Sequence, residues 1–216
     1  MGALFLSNPS ALISNITFDN NTAEDGAAII FEGSLANNCS LDIHDSVFSN
    51  GWASKTGGAI KWTGMRPNAY NCTFINNSAG FYGDDNASFP IAVRPTDTSM
   101  QQTDNHILNA SFRSGQIFDT FNLALLDVDG NIVKNDNSSE MKASIFNISA
   151  YWDLDNTWLE CYGNYFLPVN GVYAISKLQC IAQPISWNYI NFSVPSINRA
   201  LSIVTNPDFN LTFYCW

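Results

Sequence analysis

An internal repeat is the feature of this sequence that most constrains its fold. The glycine-alanine segment Gly57–Ile60 repeats Gly26–Ile29, which lies 31 residues earlier, and Gly2-Ala3-Leu4 has the form of a truncated first copy. A phenylalanine followed two residues later by asparagine recurs between these segments, at Phe18, Phe48 and Phe74. Repeat units of 25 to 31 residues are too short to bury an apolar face alone, so they must stack on neighbouring units.

The pattern within each unit predicts strands rather than helices. Apolar residues alternate with polar ones over short stretches, which is typical of strands with one buried face. The same alternation predicts an inward-facing solenoid ladder in which rings stack on rings and amides on amides, formed by Phe18, Phe48, Phe74, Asn20, Asn50 and Asn76. The glycines supply the φ > 0 corners between faces. We therefore expect a short right-handed parallel β-helix over residues 1–88.

The repeat also resembles that of a known family. Phe18 with Asn21, and Phe74 with Asn77, combine with the glycine-alanine segments to form a pattern similar to the repeat of chlamydial polymorphic outer-membrane proteins. The same pattern occurs in large extracellular β-helix proteins of protists such as ciliates. Phe48 departs from it, because Gly51 stands where the asparagine is expected. The resemblance covers the first 88 residues and implies a surface-exposed stalk or adhesin without catalytic residues.

The repeat pattern ends near residue 88, where polar residues and Pro90 mark a predicted domain boundary. Short alternating runs separated by turn clusters predict an antiparallel, immunoglobulin-like β-sandwich over residues 89–216. The predicted strands are Ile107–Phe112, Phe118–Val128, Ala143–Ile148, Val172–Leu178, Tyr189–Val194 and Phe209–Tyr214. The stretch from Ser114 to Ser138 resembles the sandwich that follows such repeats in ciliate surface proteins.

Charge and hydropathy exclude several classes of partner. The 19 acidic and 9 basic residues give a net charge of −10, which argues against nucleic acid and anionic membrane surfaces. No apolar run approaches the ~20 residues of a membrane-spanning helix, so this segment is not expected to insert into a membrane. Met1–Leu6 lacks the features of a signal peptide. We expect the sequence to begin inside a longer solenoid or at a processed end.

Eleven Asn-x-Ser/Thr sequons predict an extracellular, N-glycosylated protein, because composition alone would give about four. Asn20 and Asn76 are set aside, since an inward ladder leaves no room for a glycan. The remaining candidates are Asn15, Asn38, Asn71, Asn86, Asn109, Asn137, Asn147, Asn191 and Asn210. The alternative is that asparagine-rich turns of a β-helix generate sequons incidentally.

Five cysteines fit an oxidising compartment but are too few for a disulfide-dense scaffold. The disulfide candidates are Cys161 with Cys180 and Cys39 with Cys72, and Cys215 is a candidate for an intermolecular bond. The first pair is favoured because it flanks a hairpin turn at Asn170-Gly171. The second pair stays open, because Cys72 would also fit as a buried core thiol.

No constellation for catalysis is visible, and we expect the chain not to be an enzyme. Polysaccharide-cleaving β-helix proteins need clustered carboxylates with a basic residue. The only adjacent acidic pair in the first half is Asp84-Asp85, which reads as a solvated turn, and the two histidines, His44 and His106, fall in different predicted domains. Asp127–Asn131 offers oxygen ligands but does not match a calcium loop, so a hairpin turn is favoured and no cofactor is expected.

The aromatic residues leave a binding function open. Trp52, Trp62, Phe81 and Tyr82 are candidates for a sugar-stacking face, although Trp62 fits the core better; Trp152, Trp158 and Trp187 are expected in the sandwich core. The sequence predicts a structural or adhesive surface module that stacks head-to-tail on copies of itself into a filament, because an open first turn exposes unpaired backbone. A glycan-binding receptor module and, less favoured, a polysaccharide-active enzyme are the alternatives.

Overall fold

The computed structural model describes residues 4–34, 39–97, 100, 105–148, 159–201 and 203–216. Within these ranges the chain forms 23 β-strands and no α-helix. It divides into two compact units: Met1–Phe89 with Asp127–Asn135, and Pro90–Leu126 with Asp136–Trp216. The boundary expected after residue 88 therefore needs one change, because the segment Asp127–Asn135 belongs to the first unit.

The first unit is a coil of stacked strands. Its strands are β1 (Leu4–Ser7), β2 (Ser10–Ser14), β3 (Thr17–Asp19), β4 (Thr22–Asp25), β5 (Ile29–Glu32), β6 (Ser40–His44), β7 (Val47–Ser49), β8 (Trp52–Thr56), β9 (Ile60–Thr63), β10 (Asn68–Tyr70), β11 (Thr73–Ile75), β12 (Ser78–Ala79) and β13 (Asn86–Ala87). They form four parallel sheets, ordered β1-β5-β9-β13, β2-β6-β10, β3-β7-β11 and β4-β8-β12. Each turn of the chain thus adds one strand to every sheet, as in a parallel β-helix.

The register of the coil follows the sequence repeat. Ile29 pairs with Ile60 in the first sheet, and Phe48 pairs with both Phe18 and Phe74 in the third. The three rings stack with centroids 5.0 and 4.9 Å apart and planes tilted by 10° and 8°. Gly26 supports the corner before β5, because its φ is +52° and a Cβ there would lie 2.3 Å from the carbonyl oxygen of Ile29.

The expected asparagine ladder is wrong. Asn20, Asn50 and Asn76 are exposed and occupy left-handed corners with φ of 54°, 53° and 52°. Asparagine tolerates this conformation because its short polar side chain can bond locally, and the bend turns the side chain away from the core. The asparagine one residue later takes the internal position. Asn77 is half-buried, donates to the carbonyl of Phe48 at 3.0 Å and accepts from the amide of Gly51 at 2.9 Å.

The second unit contains ten strands. They are β14 (Pro90–Pro95), β15 (Asn105–Phe112), β16 (Phe121–Asp127, whose last residue groups with the first unit), β17 (Met141–Asn147), β18 (Glu160–Tyr162), β19 (Tyr165–Phe166), β20 (Val172–Ile175), β21 (Gln179–Ile181), β22 (Ser186–Ser193) and β23 (Phe209–Cys215). A three-stranded sheet has the order β14-β16-β20, and a five-stranded sheet has the order β15-β23-β22-β17-β19. A two-stranded ribbon joins β18 to β21.

The core of the second unit lies between its larger sheets. Phe121 of β16 packs edge-on against Phe192 of β22, with centroids 5.7 Å apart, and Phe118 packs in the same way against Phe213 of β23. Burial alternates strictly along β22 and β23, so each strand has one core face and one solvent face. β15 pairs in parallel with β23 whereas the other neighbours in this sheet are antiparallel, so the sheet is mixed rather than purely antiparallel as expected.

Candidate functional site

The outer surface of the coil is held by bonds between successive turns. Asp19 accepts hydrogen bonds from the Ser49 hydroxyl at 2.6 Å and the Asn50 amide at 2.9 Å, which lowers the pKa of its carboxyl. Glu24 forms an ion pair with Lys55 of the next turn. These polar side chains therefore bond from one turn to the next, along the coil axis.

The end of the coil at β13 is covered by Asp127–Asn135 of the same unit. The buried Asp127 carboxylate accepts from the amide of Ser88 at 3.0 Å and from the amide of Asn131 at 2.8 Å. The Asn131 side chain donates to the carbonyl of Asn86, in β13, at 3.0 Å. Asp127–Asn131 does form a tight turn, with Gly130 at φ +83°. It serves as a lid on the last turn of the coil, a role that the sequence did not indicate.

A cavity of about 340 Å³ opens beside this lid. Its lining includes Trp62, Arg66, Asn68, Tyr70, Asn86 and Asp129. Arg66 pairs with Asp129, and burial raises the pKa of the Asp129 carboxyl, partly offset by the Arg66 charge. Tyr70 is largely exposed and stacks on His44 at 4.8 Å. An exposed ring beside amides and a guanidinium can contact a small polar ligand such as a sugar.

Perturbed titratable groups near the lid have structural partners. The Lys61 ammonium donates to the carbonyl of Ser88 at 2.9 Å, and the Tyr82 hydroxyl donates to the same oxygen at 2.7 Å. Burial lowers the pKa of Lys61 and raises the pKa of Tyr82. Both groups therefore act as donors to one backbone oxygen.

The residues weighed as catalytic candidates do not come together. The Asp84 carboxylate accepts from the amide of Ala79 at 3.1 Å, and Asp85 accepts from the Asn77 side chain at 3.0 Å, so both stabilise a turn. His44 lies in the first unit and His106 in the second. Among the described residues, no three His, Cys, Asp or Glu side chains gather in a way that could hold a metal ion. No helix in the same part of the chain is long and apolar enough to cross a bilayer.

The aromatic candidates separate into core and surface. Trp62 is buried, as expected, whereas Trp187 is 43% exposed, so its assignment to the sandwich core is wrong. Its place in β22 explains the difference, because Asn188 and Ile190 point to the core and Trp187 falls on the opposite face. Trp152 and Trp158 lie outside the described residues.

The sequon asparagines fall into three groups. The side chains of Asn15, Asn71 and Asn137 are exposed, and those of Asn86, Asn147, Asn191 and Asn210 are half-buried. Asn38 lies outside the described residues, as does the side chain of Asn109. Asn20 and Asn76 are exposed as well, so the reason for setting them aside no longer holds.

One disulfide joins Cys161 to Cys180, directly opposite each other in β18 and β21. Cys39 and Cys72 are free thiols, which removes the second candidate pair. Cys215 is fully buried, which raises the pKa of its thiol. It faces the core of its unit because β23 alternates, so it is not placed for the intermolecular bond considered from the sequence.

One stretch of the coil resembles a known protein family in sequence. Residues 15–32 match the model of the Chlamydia polymorphic membrane protein repeat. No curated protein matches the chain significantly. The matched residues begin at one left-handed corner, run through β3 and β4, and end with β5 after the glycine-alanine corner. This chain therefore contains a repeat similar to that of the Chlamydia polymorphic membrane proteins, folded as one part of a stacked parallel coil.

Proposed function

We propose that this chain is a non-catalytic structural and adhesive module of an extracellular glycoprotein, displayed at a cell surface. The observation that carries the proposal is the parallel coil, whose repeat matches that of the Chlamydia polymorphic membrane proteins. That family points to surface-exposed, adhesin-type proteins. The polar side chains of the coil are engaged in bonds between turns, which suits a rigid stalk. The second unit fits the role of an immunoglobulin-like sandwich appended to the coil.

Antibody labelling tests the location, and a bead assay tests adhesion. Antibodies against the purified chain should label intact cells that express it as strongly as permeabilised ones. Beads coated with folded protein should adhere to cultured cells several-fold better than beads coated with heat-unfolded protein. Labelling that requires permeabilisation would refute the surface location, and equal adhesion of the two kinds of bead would refute the adhesive role.

Assembly by head-to-tail stacking is part of the proposal. In the described residues β2, β3 and β4 lie at one edge of their sheets, and β10, β11 and β12 lie at the other. Parallel edges of this kind can pair with a neighbouring copy. The first sheet, β1-β5-β9-β13, differs, because the Asn131 side chain of the Asp127–Asn135 lid donates to the backbone carbonyl of Asn86 in β13. Stacking between copies would therefore use three of the four sheets.

Light scattering with negative-stain microscopy tests this assembly. Leu12 is 70% exposed in the edge strand β2, and a lysine on an edge strand opposes pairing. The wild-type chain should form filaments, and Leu12→Lys should reduce them several-fold. Ile185→Lys, which changes an exposed residue of the second unit, should leave them unchanged. Monodisperse wild-type monomers in physiological buffer would contradict the proposal.

A glycan-binding receptor module is the second candidate, and the cavity beside the lid favours it. Saturation-transfer NMR with glucose, galactose, mannose and N-acetylglucosamine tests it directly. At least one sugar should give signals that Tyr70→Ala removes. Tyr162→Ala changes an exposed ring in the other unit and should preserve those signals. Absence of signals for all four sugars at millimolar concentration would reject this cavity as a monosaccharide site.

A further inference from the structure

The solvent face of the five-stranded sheet carries a group of rings, Phe146, Trp187, Tyr189 and Tyr214, which we call the aromatic face. Phe146 and Trp187 are each 43% exposed. Phe146 stacks on Tyr189 across β17 and β22, with centroids 5.1 Å apart. Trp187 packs against Tyr214 across β22 and β23, with centroids 5.4 Å apart. Large aromatic rings grouped on the solvent face of a sheet mark a surface that binds another molecule or segment.

A row of amides borders the aromatic face. Asn191 lies directly opposite Asn210 in the pairing of β22 with β23, and Asn105 lies opposite Asn210 on its other side. The Asn191 side-chain amide donates to the Asn210 side-chain oxygen at 3.0 Å, and the Asn210 amide donates to Asn105 at 3.1 Å. Asn191 and Tyr189 are two residues apart in one strand, so their side chains leave the same face of the sheet.

Asn191 and Asn210 are both sequon asparagines, in Asn191-Phe192-Ser193 and Asn210-Leu211-Thr212. A glycan attached to either one emerges beside the aromatic face. The C–H bonds of a sugar ring carry partial positive charge and suit the negative faces of aromatic rings. An occupant tethered to the same sheet also has a very high effective concentration. A charged side chain borders this set, because the Asp208 carboxylate accepts from the Asn191 side-chain amide at 3.5 Å and is itself paired with Arg199.

We propose that the aromatic face is covered by the chain's own N-linked glycan, attached at Asn191 or Asn210 but not at both in one folded molecule. The proposal rests on the glycoprotein part of the proposed function. Side chains directly opposite each other on neighbouring antiparallel strands have Cβ atoms about 5 Å apart. Two sugar rings, each extended by further sugars, do not fit side by side at that distance over hydrogen-bonded amides.

The attachment follows ordinary glycosyl-transfer chemistry. The side-chain amide nitrogen of the asparagine forms a bond to C1 of an oligosaccharide carried on a lipid diphosphate. The bond between C1 and the diphosphate oxygen breaks, the lipid diphosphate leaves, and the amide loses one proton to a base. The glycosylated amide keeps one N–H, so it can still donate across the strand pair.

Intact mass of the full chain, secreted from a eukaryotic host, tests the exclusion. The largest number of glycans per molecule should be the same in wild type, Asn191→Gln and Asn210→Gln, and should fall by one in the double variant. Asn71→Gln is the matched control, because this exposed asparagine lies at the corner between β10 and β11 and its side-chain amide donates to Asp45 rather than to a sequon asparagine. The count should fall by one if Asn71 is occupied. Loss of one glycan in each single variant would show independent occupancy and overturn the proposal.

Hydroxyl-radical footprinting tests whether a glycan covers the aromatic face. Enzymatic removal of the glycans should raise the oxidation of Phe146 and Trp187 several-fold and leave Tyr162, an exposed ring of β18, unchanged. Unaltered oxidation of Phe146 and Trp187 would show that no glycan covers the aromatic face. An unchanged glycan count in the double variant, with glycans elsewhere on the chain, would show that neither Asn191 nor Asn210 carries one. A chain without any glycan would also refute the glycoprotein part of the proposed function, so the two failures are distinguishable.

Discussion

The ring of Phe48 lies parallel to the ring of Phe74, with centroids 4.9 Å apart and planes inclined by 8°. Phe18 covers the other face of Phe48 at 5.0 Å. Phe48 is fully buried, whereas Phe18 and Phe74 are half-buried. The middle ring therefore makes stacking contacts on both faces, and the coil depends on it more than on its neighbours.

Replacing Phe48 by alanine should destabilise the first unit by about 3–5 kcal/mol, because it leaves a ring-sized cavity between two stacked rings. Phe74→Ala should lower the free energy of unfolding by clearly less, because that ring is only half-buried in the wild type. Urea unfolding followed by hydrogen–deuterium exchange of β7 measures both changes. Equal losses for the two variants would mean that the stack does not concentrate stability in its middle ring.

Asn77 should matter more than the adjacent asparagine. Its side chain bonds to the backbone of Phe48 and Gly51, so Asn77→Ala leaves half-buried backbone groups unpaired and should cost about 1–3 kcal/mol. Asn76→Gly is the matched control. It should be near neutral, because Asn76 is exposed and glycine adopts its positive φ without strain. Thermal melts of the two variants decide the point, and a larger loss in Asn76→Gly would contradict the assignment.

The lid on the coil should depend on Asp127. Asp127→Ala removes the acceptor for the amides of Ser88, Asp129 and Asn131, so we expect a loss of about 2–4 kcal/mol. Asp127→Asn keeps one acceptor oxygen and should therefore lose less stability than Asp127→Ala. Amide exchange at Ser88, measured by NMR, should accelerate at least tenfold in the alanine variant. Unchanged protection at Ser88 would show that the carboxylate does not hold the lid.

Reduction of the Cys161–Cys180 disulfide should destabilise the second unit. The bond closes a loop with a sequence separation of 19, for which the chain-entropy model gives about 3 kcal/mol. The paired variant Cys161→Ser, Cys180→Ser should melt several degrees lower than wild type in the absence of reductant. Reductant should lower the wild-type midpoint to that of the variant, and a midpoint that reductant leaves unchanged would contradict this account.

The repeat could be recognised from sequence because stacked turns require the same residue at the same step of each turn. Phe18, Phe48 and Phe74 meet that requirement. The sequence does not show in which direction the asparagine side chains point, because the alternation of inward and outward side chains along a strand breaks down at a left-handed corner. Gly51 stands where the repeat pattern has asparagine, and this difference has a local cause. A Cβ at this position would lie 2.2 Å from the carbonyl oxygen of Gly58.

The features missed from sequence depend on contacts between distant segments. The Asp127–Asn135 lid bonds to Ser88, just after the last coil strand and about forty residues away in sequence. Turn chemistry alone does not indicate where a turn will pack. Residue type alone predicts Trp187 in the core, whereas the alternation along β22 places Asn188 inside. Alternation in the sequence locates six of the ten strands in the second unit and misses the other four, β14, β18, β19 and β21. The parallel pairing of β15 with β23 becomes visible only in the tertiary structure.

Cysteine cross-linking across the first sheet tests the coil most directly. Ser7 pairs with Glu32, and Glu32 pairs with Thr63, so adjacent members of this column lie one strand spacing apart, about 4.8 Å, and the outer two about twice that. In a Cys39→Ser background, the double-cysteine variants at 7 and 32, and at 32 and 63, should form intramolecular disulfides under mild oxidation. The variant at 7 and 63 should not. Cross-linking of 7 to 63 within one chain, or failure of both adjacent pairs, would contradict the stacked coil.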